Sequence, residues 1–408
     1  MLQQKKKLKW FLIPILTLSL CFQPAVTKTA AAADQTVAQA AAQDMKGIYV
    51  STVLNLDYPA APTTDSAQLK AQIDSIVTNC SNLGMNSIFF QVRPCTDAFY
   101  QSSIFPWSKY ATGVQGIAPS NGFDPLAYFI TQAHAKKMTL HAWVNPYRIT
   151  KNPADWNTLA ANNPAKLHPE WVKVYTDGNY YFDPGIPAVR SLIESGVQEL
   201  ITNYDLDGIH MDDYFYPGIA FPDDATFAAF NNNQFSNKAD WRRNNVNLLI
   251  QELDYIIHSY NPNLQFGISP SGVWENQSAN PLGSPTKGGH PSYSKLFADT
   301  RKWALEGWID YIAPQIYWEN GHKLCDYATL QNWWATTLAG SDTKLYIALA
   351  NYRANDASAT SPWYNGAEIS RQMLQNKQNP NVSGEIHFRY GTIMSNPSMI
   401  ASVQAGNK

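Results

Sequence analysis

Two adjacent carboxylates follow a short apolar run near the middle of the chain. Asp212 and Asp213 come directly after residues 208–211, and the aromatic residues 214–216 follow them. An ionised carboxylate is costly to bury unless a hydrogen bond, an opposite charge or a catalytic role compensates. A strand that enters a core and ends in two acids is therefore expected to open into a functional site.

The rest of the chain predicts the elements that position these acids. Short runs of β-branched and aromatic residues alternate with longer amphipathic stretches. Most of the short runs are apolar almost throughout, as expected for strands with both faces covered. The strand candidates are residues 45–52, 86–93, 139–146, 207–214, 265–272, 311–318, 344–351 and 385–391.

Helical patterns fill the connections between these strands. Apolar residues at helical spacing run from Leu69 to Cys80, Asp124 and Pro125 open a second helix, and Pro187 opens a third. Further helices are predicted over residues 241–260, 293–305, 327–338, 367–376 and 397–403. Eight strands that alternate with helices predict an α/β fold, a closed (β/α)₈ TIM barrel with long loops after strands two to four. An open, doubly wound sheet is the alternative, but it usually has fewer repeats and a Gly-rich first turn.

The predicted strands become polar or aromatic at their C-terminal ends. In (β/α)₈ barrels the active site forms at these ends. Arg, Asn, Gln, Tyr and Trp side chains hydrogen-bond to sugars and stack on them, so the end residues favour a polysaccharide groove. The predicted substrate-binding residues are Arg93, Trp143, Asn145, Tyr147, Arg148, His210, Asp213, Tyr214, Trp274, Gln315, Tyr317, Trp318, Asn351 and Arg389.

Alternation along strand four separates its two aspartates. His210 and Asp212 share one face, whereas Asp213 shares the other face with two apolar residues. The apolar face suits the helix layer, so His210 and Asp212 are expected to point to the barrel axis. Asp213 is expected to fix Arg93 or Arg148, or to cap the next loop.

A second carboxyl group is available from two glutamates. Cleavage of a glycosidic bond needs one carboxyl group to protonate the leaving oxygen and another to attack C1 or activate water. Glu275 and Glu319 each follow a tryptophan, and a neighbouring indole raises a carboxyl pKa as a general acid requires. We therefore predict Asp212 as nucleophile or base and Glu275 or Glu319 as the acid.

Five ordered motifs suggest a family. They are GIYV at 47–50, FQVRP at 90–94, AWVNPYR at 142–148, DGIHMDDYFYP at 207–217 and PQIYW at 314–318. These motifs resemble the bacterial glycosyl-hydrolase-like family 10 proteins, over residues 46–391. The resemblance implies a TIM-barrel glycosidase, secreted or attached to the envelope, with bacterial cell-wall glycan as a substrate of some members. It also implies a catalytic acid on strand four, which matches Asp212, whereas the glutamate of the chitinase pattern is replaced by Tyr214.

Three functions remain open at this point. The first is a secreted glycoside hydrolase that acts on a polysaccharide such as a peptidoglycan-type amino-sugar polymer. The second is a non-catalytic barrel that binds glycan. The third is a metal-dependent polysaccharide deacetylase with His141, His210, Asp212 and Asp213 as ligands. The absence of a paired-histidine motif disfavours this last function, so no metal is expected.

Composition excludes several other classes of function. The net charge is −2, from 30 basic and 32 acidic residues mixed along the chain, which argues against nucleic acid and anionic membranes as partners. No glycine-rich nucleotide-binding motif occurs, so no cofactor is expected. Cys80, Cys95 and Cys325 allow at most one disulfide and are expected to be buried small hydrophobic residues.

The N-terminus has the pattern of a targeting segment. Four lysines precede an apolar run at residues 10–22, and small residues follow at 30–33, which is the order of a secretory signal peptide. We expect residues 1–33 to be removed and 34–44 to form a disordered lead to a single domain at 45–408, in a protein that is secreted or held in the envelope. The bulky Leu20 before Cys21 disfavours lipidation, and no later run is long enough to span a membrane.

Overall fold

The computed structural model describes residues 44–213, 215–355 and 357–408. The predicted signal peptide, Cys21, Tyr214 and residues 34–43 of the predicted lead lie outside the described residues.

Eleven strands and a set of helices alternate along the described chain. The strands are β1 (Met45–Val50), β2 (Ser87–Arg93), β3 (Thr139–Val144), β4 (Val172–Val174), β5 (Tyr180–Phe182), β6 (Gly208–Met211), β7 (Gln265–Ile268), β8 (Tyr311–Ile312), β9 (Lys344–Leu345), β10 (Ile347–Ala350) and β11 (Gly384–Phe388). The helices are α1 (Ser66–Asn82), α2 (Lys109–Thr112), α3 (Pro125–Ala135), α4 (Pro164–Leu167), α5 (Pro187–Asn203), α6 (Asp224–Phe230), α7 (Lys238–Tyr260), α8 (Ser292–Lys295), α9 (Thr300–Leu305), α10 (Tyr327–Thr337), α11 (Ala367–Gln378), α12 (Tyr390–Met394) and α13 (Pro397–Gly406).

Nine strands form one parallel sheet that closes into a barrel. Their order is β10-β11-β1-β2-β3-β6-β7-β8-β9. β9 and β10 are successive parts of one segment interrupted at Tyr346, so the first and last positions in this order belong to the same strand. A parallel bridge between Gln315 and Ala348 also joins the two sides of this closure. The predicted eight-stranded TIM barrel is confirmed, with β9 and β10 together as its seventh strand.

Side-chain caps explain where several helices begin. Asp65 accepts a hydrogen bond from the backbone N–H of Ala67 at the start of α1. Asp124 accepts one from the backbone N–H of Ala127, and Pro125 occupies the first position of α3, where its missing N–H costs nothing. The predicted helix start at Asp124 is confirmed.

Several predicted element bounds are wrong. The strand predicted over 207–214 ends at Met211. The strand predicted over 311–318 ends at Ile312, because Pro314 has no N–H to continue the hydrogen-bond ladder. The helix predicted over 293–305 is divided into α8 and α9. Between them Phe297 adopts a left-handed backbone with φ of 54°, and Asp299 then caps α9.

The barrel separates two apolar cores. The outer core lies between the sheet and the helices and includes Ile209 and Met211 of β6. The inner core fills the barrel with Met45, Tyr49, Phe89, Trp143, Tyr311, Ala313, Tyr346, Ala348 and Ile386. The predicted outward orientation of the apolar face of strand four is therefore confirmed.

Cys80, Cys95 and Cys325 are buried and form no disulfide, in line with the expectation from sequence. Within the described ranges, no helix combines the length and apolar character needed to cross a bilayer.

The inner core makes a prediction about Gly267. A Cβ atom added there would lie 2.0 Å from the Tyr311 ring, which His141 and His210 hold by hydrogen bonds to its hydroxyl. Gly267→Ala is therefore expected to lower the free energy of unfolding by about 1–3 kcal/mol through overpacking. Urea denaturation measures this change. A urea midpoint and slope equal to those of the wild type would show that the Tyr311 ring moves aside freely.

Candidate active site

A pocket of about 280 Å³ opens at the C-terminal ends of the barrel strands. This volume is near the lower end of the range for small-molecule sites, roughly 300–1,000 Å³. All the barrel strands, with β9 and β10 taken as one, contribute lining residues from their ends or following turns. The lining consists of Tyr49, Ser51, Val53, Leu54, Leu56, Gln91, Trp143, Arg148, Lys151, Asp212, Ser269, Gln315, Tyr317, Tyr352 and Phe388. The predicted convergence of the strand ends is confirmed.

Asp212 lies in this pocket in a fixed orientation. Its Oδ2 accepts hydrogen bonds from Asn145 Nδ2 at 2.6 Å and from Trp143 Nε1 at 3.2 Å. Gln91 and Arg148 both donate to Asn145 Oδ1, at 2.7 and 2.9 Å, so the amide nitrogen of Asn145 must face Asp212. Residues at the ends of β2 and β3 thus hold a carboxylate at the end of β6, and only 6% of Asp212 is exposed.

Asp213 directly follows Asp212 at the end of β6, although it is not one of the residues that line the pocket. Burial raises the pKa of Asp213 to about 7, and the negative charge of Asp212 adds to the rise. The side chain of Gln315 and the charge of Arg148 act in the opposite direction. The alternation that assigned Asp213 to the outer face does not apply, because β6 ends at Met211. The structure therefore brings both aspartates to one site.

His210 lies beneath the pocket, inside the barrel. Its Nε2 is 3.0 Å from Ser269 Oγ and 3.2 Å from the Tyr49 hydroxyl, and its Nδ1 is 3.0 Å from the Tyr311 hydroxyl. Burial lowers the pKa of His210 well below its ordinary value, so the imidazole is neutral. The predicted axial orientation is confirmed, but His210 supports two pocket residues from below and is itself fully buried.

The two glutamates lie outside the pocket lining. Glu275 is buried, and its Oε1 accepts a hydrogen bond from the backbone N–H of Asn276. Glu319 accepts a hydrogen bond from Trp363 Nε1 at 3.1 Å. Each carboxylate therefore holds a loop, and the structure does not bring either of them to Asp212.

Two of the predicted arginines also have other partners. Arg93 is buried, and its guanidinium lies 3.7 Å from the centre of the Phe105 ring. Arg389 pairs with the buried Asp57, which also accepts hydrogen bonds from backbone N–H groups. This pair ties the loop after β1 to the turn after β11, and that loop supplies Val53, Leu54 and Leu56 to the pocket.

Of the remaining predicted residues, Trp143, Arg148, Gln315 and Tyr317 line the pocket. The others with a described position do not, and each packs elsewhere. Tyr147 is buried, Trp274 donates to Asp299, Asn351 contacts His387 and Met399, and the Trp318 carbonyl accepts from Gln372.

The sequence-based selection missed several lining residues. Tyr49 and Gln91 occupy inward positions of β1 and β2, so the alternation that selected Asp212 would also have selected them. Ser269 and Phe388 occupy corresponding positions at the ends of β7 and β11. Lys151 lies on a loop and carries no signal in the strand pattern.

Comparison with known families is consistent with this geometry. A family model described as "Glycosyl hydrolase-like 10" matches residues 44–365. The chain belongs to this family. It is 42% identical to glycosyl hydrolase YngK of Bacillus subtilis over 359 residues, which cover 87% of this chain and 70% of that protein. It is 39% identical to glycosyl hydrolase DigH of Escherichia coli K12 over 387 residues, which cover 89% and 87% of the two chains.

Solved structures share the fold at low identity. The glycoside hydrolase domain of PgaB (BpsB) from Bordetella bronchiseptica matches with a TM-score of 0.58 at 12% identity, and covers 88% of this chain and 98% of that one. The endo-1,4-beta-mannanase of Rhizomucor miehei matches with a TM-score of 0.53 at 10% identity, covering 89% and 94%. These likenesses confirm the TIM barrel that glycoside hydrolases use.

The Asp57–Arg389 pair makes a prediction about stability. Arg389→Ala leaves the fully buried carboxylate of Asp57 without its counter-charge, so the free energy of unfolding is expected to fall by about 3–5 kcal/mol. Chemical denaturation measures this loss.

Lys302→Ala is the matched control, because the Lys302–Glu306 pair is 41% and 54% exposed and should contribute under about 1 kcal/mol. A weaker affinity for glycan in Arg389→Ala at unchanged stability would instead support the substrate-binding role predicted from sequence.

Proposed function

We propose that this protein is a glycoside hydrolase that acts outside the cytoplasm on a polysaccharide of N-acetyl amino sugars, such as bacterial cell-wall glycan. One observation carries the proposal. Asp212 and Asp213 lie together at the mouth of the barrel, next to a pocket with aromatic walls. Family membership and the glycosyl hydrolases YngK and DigH support the reaction class. The basic, apolar and small-residue order of residues 1–33 supports an extracytoplasmic location.

Asp213 is the proposed general acid. A general acid works best when its pKa is close to the working pH, because it is then often protonated and still releases its proton readily. Burial and the charge of Asp212 raise the pKa of Asp213 to about 7, which meets this requirement. This role replaces Glu275 and Glu319, whose carboxylates accept hydrogen bonds from the Asn276 backbone and the Trp363 indole.

Asp212 is the proposed partner carboxylate. The bonds from Trp143 and Asn145 hold one of its oxygens in place. A fixed negative charge stabilises the positive charge that develops at C1 as the glycosidic bond breaks. The side chains that bind the sugar are proposed to be the aromatic lining residues, above all Trp143 and Tyr317, with Arg148 and Lys151 as donors at the pocket wall.

Substitution of either aspartate tests the proposed catalytic roles. Asp213→Asn and Asp212→Asn are each expected to lower kcat by about 100-fold or more, because each removes one of the two groups that act in the transition state. The assay measures new reducing ends on a panel of purified glycans that includes peptidoglycan with and without its stem peptides.

Glycan binding in a sedimentation assay should survive both substitutions. Turnover equal to that of the wild type in both variants would contradict the roles proposed for the two aspartates. A wild-type protein that binds glycan but releases no reducing ends would favour a glycan-binding barrel. Glu275→Gln and Glu319→Gln belong in the same series, and a loss as large as that of Asp213→Asn in either one would move the acid role to that glutamate.

The activity should also depend on pH in a defined direction. The acid must carry its proton at the start of the reaction, so kcat should fall as the pH rises through the pKa of Asp213, about 7. The residual activity of Asp213→Asn should lack this basic limb, because an amide does not titrate. A pH profile of kcat from pH 5 to 9 is measured for the wild type and for Asp213→Asn. If the variant shows the same fall of kcat at high pH as the wild type, the group that titrates is not Asp213.

A further inference from the structure

The two acids supply a general acid and a stabilising charge, but neither is placed as the nucleophile of the reaction. Asp212 and Asp213 are consecutive residues at the end of β6, and the charge of Asp212 acts directly on Asp213, so the two acids come from one strand end. Two carboxyl groups that perform a direct displacement flank the glycosidic bond instead. Among the described residues, Asp212 is the one carboxylate in the pocket lining. These lining residues therefore supply no second carboxylate to act as a nucleophile opposite Asp212.

The pocket wall beside Asp212 is aromatic and continuous. The Tyr49 ring lies 5.3 Å from Trp143 and 5.8 Å from Phe388, and Phe388 lies 6.0 Å from Tyr317. Such a wall accepts a small apolar group next to the carboxylate. Tyr317 adds a hydroxyl group that forms no hydrogen bond to any other residue in the described part of the chain, although it lines the pocket. A methyl group attached to a polar amide matches this combination of surfaces.

We propose, on the basis of the proposed glycosidase function, that the nucleophile is the 2-acetamido group of the substrate, held by Asp212 and Tyr317. The acetamido carbonyl oxygen forms a bond to C1 while the bond from C1 to the leaving oxygen breaks. The electron pair of the broken bond stays on the leaving oxygen, which takes the proton of Asp213. The positive charge of the resulting oxazolinium ring is balanced by the Asp212 carboxylate, which accepts a hydrogen bond from its N–H.

The second half of the reaction regenerates the acetamido group and the protonated form of Asp213. A water molecule attacks C1, and Asp213, now a carboxylate, accepts the proton of that water. The bond between C1 and the acetamido oxygen breaks, and its electron pair restores the amide. Both displacements invert C1, so the product keeps the anomeric configuration of the substrate. The substrate class is therefore narrowed to glycans with an acylated amine at C2 of the sugar that is cleaved.

Matched glycan strands test this inference. Purified peptidoglycan glycan strands are chemically de-N-acetylated, and portions are then re-N-acylated with acetyl or trifluoroacetyl groups. The two acyl groups have nearly the same shape, but fluorine withdraws electrons and makes the carbonyl oxygen a weaker nucleophile. We expect re-acetylation to restore cleavage of the strands and trifluoroacetylation to lower kcat by at least about tenfold, with little change in KM. A role of the acetyl group in binding alone would alter KM and leave kcat similar for the two acyl groups.

The stereochemistry of the product is an independent readout. Proton NMR of the new reducing end in the first minutes of the reaction should show the anomer of the original linkage. The inverted anomer would overturn the inference, since it requires Asp212 to activate water directly. So would equal kcat values on acetylated and trifluoroacetylated strands.

The proposed function fails in a different way. If the wild-type protein releases no reducing ends from intact or re-acetylated strands, or from any other glycan in the panel, then the glycosidase function is contradicted, and the inference with it. If the wild-type protein cleaves the de-N-acetylated strands as fast as the intact strands, the glycosidase function stands and only the inference is contradicted.

Discussion

The hydrogen bond from Asn145 to Asp212 is the interaction on which the candidate site depends. An amide side chain has two ends with opposite hydrogen-bonding character, so its orientation is informative only when its neighbours determine it. Gln91 and Arg148 do so by donating to the amide oxygen. Gln91 in turn accepts from Ser51 Oγ and from the backbone N–H of Thr52 and Val53 through its own carbonyl oxygen. One chain of hydrogen bonds thus joins the loop after β1 to the ends of β2, β3 and β6, and the carboxylate moves only if several strand ends move with it.

The second constraint is electrostatic. Two adjacent carboxyl groups in a partly dry site cannot both ionise as readily as either would alone. Asp212 has two hydrogen-bond donors on one oxygen, and these favour the charged form of that group. Burial together with the charge of Asp212 raises the pKa of Asp213 to about 7, against the opposing effects of Gln315 and Arg148. Near neutral pH the two carboxyl groups therefore titrate as a coupled pair, in which the charge of Asp212 favours the protonated form of Asp213. The proposed division of roles between two chemically identical residues rests on the hydrogen bonds to Asp212 and on the raised pKa of Asp213.

The parts of this structure that sequence predicted are those governed by a regular period. The eight strand positions follow from short apolar runs that recur between amphipathic stretches. The inward direction of His210 follows from alternation, which the sheet obeys up to Met211, and Asp212, one residue further, still lines the pocket. Asp213 lies two residues beyond the strand, where the pleat no longer determines direction, so the outer-face prediction failed there. Glu275 and Glu319 were selected for a neighbouring indole. That signal is local, whereas their positions depend on the path of long loops, which no period describes.

The polar groups inside the barrel are arranged so that they support the pocket. The Tyr311 hydroxyl lies 3.0 Å from His210 Nδ1 and 3.1 Å from His141 Nδ1. Burial lowers the pKa of both imidazoles, so each carries one proton. A hydroxyl has one proton to donate, so at most one Nδ1 accepts from Tyr311 and the other must donate to its oxygen.

The tautomers of the two histidines are therefore coupled. The tautomer of His210 decides whether its Nε2 donates to Tyr49 and Ser269 or accepts from them. The hydroxyl directions at the pocket floor are consequently set by a buried network that continues to His141, in the barrel interior away from the pocket. A buried network of this kind rigidifies its surroundings when every member is paired. Tyr49 belongs to the aromatic wall beside Asp212, so the same buried network sets both the rigidity of that wall and the direction of the Tyr49 hydroxyl.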